Sequence, residues 1–168
     1  MKAVIQRVSD ASVKVDGEVT GSIEFGLLVY LGVASGDTAA DADWLADKIP
    51  KLRIFDDSEG NMNLSLADIV NTSVVMVNGN LVNQSKSCGI LAISQFTLLG
   101  DAKKGRRPSW SEAAPPEKAQ ELYDYFIEKI KKQGLRCESG IFKARMKVSC
   151  VNEGPVTILL DSKEKMRN

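Results

Sequence analysis

The chain has 168 residues, 22 of them basic and 22 acidic, so its formal net charge is zero, and 43% are hydrophobic. That is one ordinary globular domain by length, and neither a nucleic-acid-coating basic protein nor an acidic disordered tail. It contains no histidine, which excludes a Ser-His-Asp triad, a Cys-His dyad, an HExxH zinc site and a His-x-Glu deaminase site. Chemistry must therefore come from carboxylates, hydroxyls, Lys or Arg, Cys, the backbone or the substrate itself. Cys88, Cys137 and Cys150 are odd in number and lack CxxC spacing, so they are expected to be buried, reduced thiols. The opening residues are broken by Gln6, Arg7 and Asp10 and do not read as a signal peptide. No stretch approaches the ~20 apolar residues of a membrane span. The expectation is a soluble, cytoplasmic protein.

In chain order, residues 2–8 alternate as a strand, with Ala3, Ile5 and Arg7 on one face and Val4, Gln6 and Val8 on the other. Residues 12–23 read as a hairpin turning at Asp16-Gly17. Residues 27–31, an apolar run between Gly26 and Gly32, fit a strand buried on both faces. Asp37 and Thr38 offer N-caps to a helix reaching about Lys51, where Pro50 ends or kinks it. Residues 69–87 read as an added β-hairpin around Asn78-Gly79-Asn80, followed by a buried strand at 89–93 that leads into Ser94-Gln95-Phe96-Thr97. The strongest helix starts at Pro116. Its stripe is Ala119, Leu122, Tyr123, Phe126, Ile127 and Ile130, and Gly134 closes it. Two last strands, 146–151 and 156–160, flank Asn152-Glu153-Gly154-Pro155. These elements make one mixed domain over residues 1–162, with helices on one face of the sheets and a polar tail at 163–168.

Three features can carry chemistry. Lys103, Lys104, Arg106 and Arg107 form a basic turn that fits either a solvated loop or a phosphate contact, and Trp110 beyond it can stack on a base or close the helix start. Gly154-Pro155 reads as a plain trans turn or as a cis bond that turns two carbonyls outward to hold an ammonium group. Ser94, Gln95 and Thr97 at a strand end suit a polar pocket. Without histidine a Ser or Thr nucleophile has no usual base, whereas backbone N–H groups there can serve as an oxyanion hole.

At these residues the sequence resembles the D-aminoacyl-tRNA deacylases of the D-tyrosyl-tRNA deacylase type over nearly its whole length. The resemblance rests on Met1-Lys2-Ala3-Val4-Ile5-Gln6-Arg7-Val8, on Ser94-Gln95-Phe96-Thr97-Leu98 and on Asn152-Glu153-Gly154-Pro155-Val156-Thr157. The loop Lys104-Gly105-Arg106-Arg107-Pro108-Ser109 matches as well. It implies a three-layer α/β/β fold of mixed and antiparallel sheets, a homodimer, no cofactor and no metal. It also implies hydrolysis of the ester that joins a D-amino acid, or glycine, to the terminal adenosine of tRNA. Ser94, Gln95, Phe96 and Thr97 would line the catalytic pocket, with Thr97 either a nucleophile or a lining group beside a water assisted by the substrate 2′-hydroxyl. Gly154 and Pro155, cis and oriented by Arg7, would enter the other subunit's site and reject L-side chains. Phe142 and Met146 would receive the adenosine, and Lys104, Arg106 and Arg107 would contact the tRNA. Two departures stand out: the segment 69–87 has no counterpart in the family pattern, and Lys143 replaces a usual glycine. Two other readings are an RNA-end-binding module without turnover and an editing enzyme that removes mischarged L-alanine, against which Phe96 argues.

Overall fold

A computed structural model describes residues 1–71, 75–77, 80–82, 88–103 and 105–164, with the backbone alone for 75–77 and 80–82. The chain opens with a 14-residue strand, β1 (Lys2–Val15), followed by β2 (Glu18–Ile23) and β3 (Phe25–Gly32). Helix α1 (Ala39–Lys48) is capped by Thr38 and Asp41 in a reciprocal capping box, and a 3₁₀ turn carrying Pro50 ends it at Ile49–Lys51. Next come β4 (Phe55–Asp56), β5 (Met62–Leu64), α2 (Leu66–Asn71), β6 (Val75–Val77), β7 (Asn80–Val82) and β8 (Cys88–Ser94). Helix α3 (Pro116–Lys132), β9 (Cys137–Ser139) and β10 (Met146–Asp161) complete the fold.

Six strands form one mixed sheet in the order β10-β1-β3-β8-β9, with β2 paired to β1. β1 is antiparallel to β10, β2 and β3, while β3, β8 and β9 run parallel. The register of β1 slips between Gln6 and Asp10, and the slip changes which face its apolar residues serve. Ala3 and Ile5 join the core under α1 and α3, with Leu27, Val29, Ile90, Leu45 and Phe126. Val8, Ala11 and Val13 join a second cluster with Leu28, Leu91 and Ile93 on the opposite face, around which the sheet nearly closes. β3 thus feeds both cores, as its unbroken apolar run requires.

Three sequence expectations need correction. Residues 146–161 form one strand rather than two, because Asn152 Nδ2 donates to the carbonyls of both Arg7 (3.0 Å) and Val156 (2.9 Å) and carries pairing across the irregular stretch. Likewise, β1 runs unbroken into the first hairpin. Cys150 is exposed because β10 is an edge strand; Cys88 and Cys137 are buried, and burial pushes both thiols up to about 12. Of the expected 69–87 hairpin, β6 and β7 pair antiparallel, while its turn at 78–79 and residues 83–87 lie outside the described residues, as does the end of the tail at 165–168.

The two long helices are tied by Asp43 of α1, which accepts from Lys129 Nζ (2.8 Å) and Tyr125 Oη (3.1 Å) of α3. The Lys129 bond first, then the Tyr125 bond, holds the Asp43 carboxyl below its ordinary range, and Asp43 raises the Lys129 amine. A lowered carboxyl stabilises the fold above its unfolded pKa, and that contribution is lost as pH falls through the folded value. The raised amine stabilises throughout neutral pH and loses its effect only in strong alkali. Thermal unfolding is therefore expected to fall in temperature between about pH 5 and pH 3, with Asp43→Asn showing a shallower fall. An identical pH dependence in the variant would assign the acid sensitivity elsewhere.

Candidate active site

The parallel strands β3 and β8 end side by side, and the chain leaves the sheet there. Gln95 N–H donates to Leu31 C=O (2.8 Å), after which Phe96–Leu99 turn as a 3₁₀ helix. The turn lies flat on Gly32, where an added Cβ would come within 2.5 Å of Leu99 Cδ2 and 2.9 Å of Gln95 O. Gly32→Ala is thus expected to displace the Gln95–Leu99 segment and cost at least about tenfold in turnover, a barrier of ~1.4 kcal/mol, with a smaller effect on substrate affinity. Steady-state kinetics reads this directly, and an unchanged kcat would remove the turn from the chemistry.

A cleft of about 360 Å³ opens beside this turn. Ser94, Gln95 and Phe96 line it together with the buried Tyr123 of α3 and with Phe142, Lys143 and Met146. Phe142 packs on Tyr123 at 6.0 Å between ring centroids. The Tyr123 hydroxyl donates to Ala92 C=O (2.8 Å), and burial pushes its pKa up. Thr97 is not part of the lining; its hydroxyl accepts from Gln95 Nε2. The N–H groups of Phe96 and Thr97 start the 3₁₀ turn, where no carbonyl of that turn can bind them. At the mouth, exposed Phe96 meets Trp110 edge-on at 5.4 Å. The basic turn follows from there: Arg106 and Arg107 are exposed beyond Gly105, between the paired Asp101 and Ser109, and Lys104 lies outside the described residues.

The cleft's electrostatics are simple. Among the described residues no lining residue is acidic, and Lys143 is the one charged member. Lys143 stands at φ +64°, in the left-handed region where a side chain costs ~1–2 kcal/mol.

Arg7, Gly154 and Pro155 form a second constellation away from the cleft, none of them in its lining. Pairing of β1 with β10 jumps from Val8–Asn152 to Gln6–Thr157, so residues 153–156 stand opposite Arg7 alone and bow outward. The Gly154–Pro155 peptide is cis, and both residues are exposed. Beneath them Arg7 is 8% exposed. Its Nη1 donates to Ile54 C=O (2.8 Å) and pairs with the Asp56 carboxylate (3.0 Å), while Nε donates to Glu153 C=O (3.3 Å).

A family model described as D-Tyr-tRNA(Tyr) deacylase matches residues 4–161, a span that includes both constellations. The chain belongs to the D-Tyr-tRNA(Tyr) deacylase family. It is 51% identical over 165 residues to the D-aminoacyl-tRNA deacylase of Koribacter versatilis (strain Ellin345), covering 98% of this chain and 99% of that one. It is also similar to a solved structure titled c-Myc DNA Unwinding Element Binding Protein, with a TM-score of 0.79 and 37% identity over 96% of this chain and 98% of that one. A structure titled as a probable eukaryotic D-amino acid tRNA deacylase shares the fold at a TM-score of 0.75 and 18% identity, covering 95% of this chain and 97% of that one.

In this deacylase-family chain the cleft brings together Ser94, Gln95, Phe96, Phe142 and Met146, which lie far apart in sequence. Sequence reasoning placed Tyr123 in the core stripe of α3 and missed that it lines the cleft. The available signal was its hydroxyl, which needs a partner when buried.

Proposed function

We propose that the chain hydrolyses the ester of D-aminoacyl-tRNA, and of glycyl-tRNA, releasing free tRNA and the amino acid. As a member of its family it is a hydrolase acting on aminoacyl-tRNA. The observation that carries the reading is a cleft whose lining, among the described residues, holds no carboxylate, in a chain with no histidine. The chemistry then suits an ester that is already activated, for which positioning and oxyanion stabilisation suffice. In this mechanism water attacks the ester carbonyl carbon, and its proton passes by way of the substrate's 2′-hydroxyl to the departing ribose 3′-oxygen. The N–H groups of Phe96 and Thr97 receive the developing oxyanion, and the ribose 3′-oxygen leaves as the acyl bond breaks. Phe142 and Met146 hold the terminal adenosine, and Arg106 and Arg107, with Lys104, contact tRNA phosphates.

Selection falls to the Gly154–Pro155 segment. Its carbonyls meet the substrate ammonium in the cleft of a second copy, where an L-side chain collides with the segment and a D-side chain or a hydrogen does not. The outward bow of residues 153–156 and their separation from the chain's own cleft support a homodimer that exchanges these segments. Among the described residues no helix is long and apolar enough to cross a membrane. An aminoacyl-tRNA substrate fits work in the cytoplasm.

Thr97 is assigned no nucleophilic role. Its hydroxyl is engaged by Gln95 Nε2. Thr97→Ala is expected to keep activity on D-tyrosyl-tRNA within about tenfold of the unmodified enzyme. A loss of ~10³ or more, as expected on removing a nucleophile, would reverse the assignment. Binding of tRNA without any turnover would replace the deacylase reading with that of a nucleic-acid-binding module.

A further inference from the structure

Past Lys143 the chain runs along the cleft into β10, with Ala144, Met146 and Val148 still in the lining. Met146 and Val148 turn inward onto the second apolar cluster, so Lys147 between them faces out, and Arg145 immediately precedes the strand. Arg145 and Lys147 are both exposed. Lys147 stands directly opposite Lys14 of β1, which is also exposed. Opposed residues of an antiparallel pair hold their Cβ atoms ~5 Å apart, and like charges there destabilise the sheet. None of Lys14, Lys143, Arg145 and Lys147 forms an ion pair among the described residues. The nearby acids of this hairpin, Asp16 and Glu18, sit at its tip, one step beyond Lys14. In a chain of zero net charge this is a local concentration of unneutralised cations. One end reaches into the cleft through a lysine whose backbone is held at φ +64°. Unfavourable charge and backbone together, continuous with a binding cleft, are what a polyanion track costs when it is empty.

We infer that Lys14, Arg145 and Lys147, continuing from Lys143, form a track for the phosphate backbone of the tRNA acceptor stem. The track seats the duplex while the single-stranded 3′ end enters the cleft. Lys147 lies on β10, Arg145 immediately precedes the strand, and Lys14 stands across from Lys147 on β1, so the cations follow the chain out from Lys143. Phe96 of the cleft lining meets Trp110, and the basic turn that precedes Trp110 in the chain adds exposed Arg106 and Arg107.

The inference rests on the deacylase reading, and the test separates the two. The triple variant Lys14→Gln/Arg145→Gln/Lys147→Gln is compared with the unmodified protein on D-tyrosyl-tRNA and on D-tyrosyl-adenosine, which has no stem. On D-tyrosyl-tRNA the variant is expected to raise KM roughly tenfold to a hundredfold with kcat unchanged, and to flatten the dependence of log KM on log salt by about 2–3. On D-tyrosyl-adenosine it is expected to match the unmodified protein. Its melting temperature at low salt is expected to be equal or higher, since the Lys14–Lys147 repulsion is gone. Equal loss on both esters, or an unchanged KM and salt slope on the tRNA, overturns the track. If the unmodified protein hydrolyses neither ester, the deacylase reading fails. Titration with a fluorescent RNA hairpin then decides the track alone: weaker binding by the triple variant upholds it, and equal binding overturns it.

Discussion

Replacing Arg7 by alanine is expected to destabilise the protein by about 2–4 kcal/mol and to abolish its discrimination between D- and L-esters. The guanidinium joins β1 to two other parts of the chain, through Ile54 C=O with Asp56 on one side and Glu153 C=O on the other. Asp56 is half exposed and regains water when the pair is lost, so its share is small. The main cost is the buried Ile54 carbonyl left without its charged donor, ~1–3 kcal/mol, together with the void left by a long side chain. Arg7→Lys is expected to fall between the two, because an ammonium cannot reach three acceptors in a fixed fork. Denaturant unfolding gives the stability, and paired hydrolysis of D- and L-tyrosyl-tRNA gives the selectivity. A stable Arg7→Ala protein with intact selectivity would show that Arg7 does not position the segment.

Gly154→Ala is expected to act on turnover more than on stability. Gly154 sits at φ +118°, which L-residues rarely adopt, and its added Cβ would lie 2.8 Å from Val156 Cγ2 and 3.1 Å from Arg7 Nη2. Val156 is buried at its position and cannot retreat freely, so the backbone at 153–155 must shift. Strain of this kind costs ~1–3 kcal/mol. The segment is exposed at the surface, so the shift is absorbed there rather than by the core. Turnover of D-tyrosyl-tRNA is expected to drop at least tenfold, with a melting temperature lowered by only several degrees. Full activity in a folded Gly154→Ala protein would remove this segment from the reacting complex.

Much of the frame was legible because its signals are local. The 3.6-residue stripe of α3 gave its buried face, with Leu122, Tyr123, Phe126, Ile127 and Ile130 inside, and the apolar run of β3 announced burial on both sides. Thr38 and Pro50 marked the ends of α1. What was illegible depends on long-range pairing. The continuity of β10 through Gly154 rests on Asn152 reaching Arg7, 145 residues away, and no local pattern encodes that. β9 is three residues long and exists because it can pair with β8. α2, six residues opened by Ser65 and Asp68, falls where the inserted hairpin was expected to begin. In the candidate site, motif residues 94–96 were readable as a polar strand end. Their meeting with Phe142 and Met146 follows only from the crossover through α3, which returns the chain to the same end of the sheet.

The central claim is ester hydrolysis with rejection of L-aminoacyl groups. Its most direct test is the hydrolysis of D-tyrosyl-tRNA and L-tyrosyl-tRNA side by side, at equal enzyme and salt, following release of free tyrosine. Rapid loss of the D-ester with the L-ester left at its spontaneous rate is the predicted result. Equal loss of both esters, or loss of neither, would contradict it.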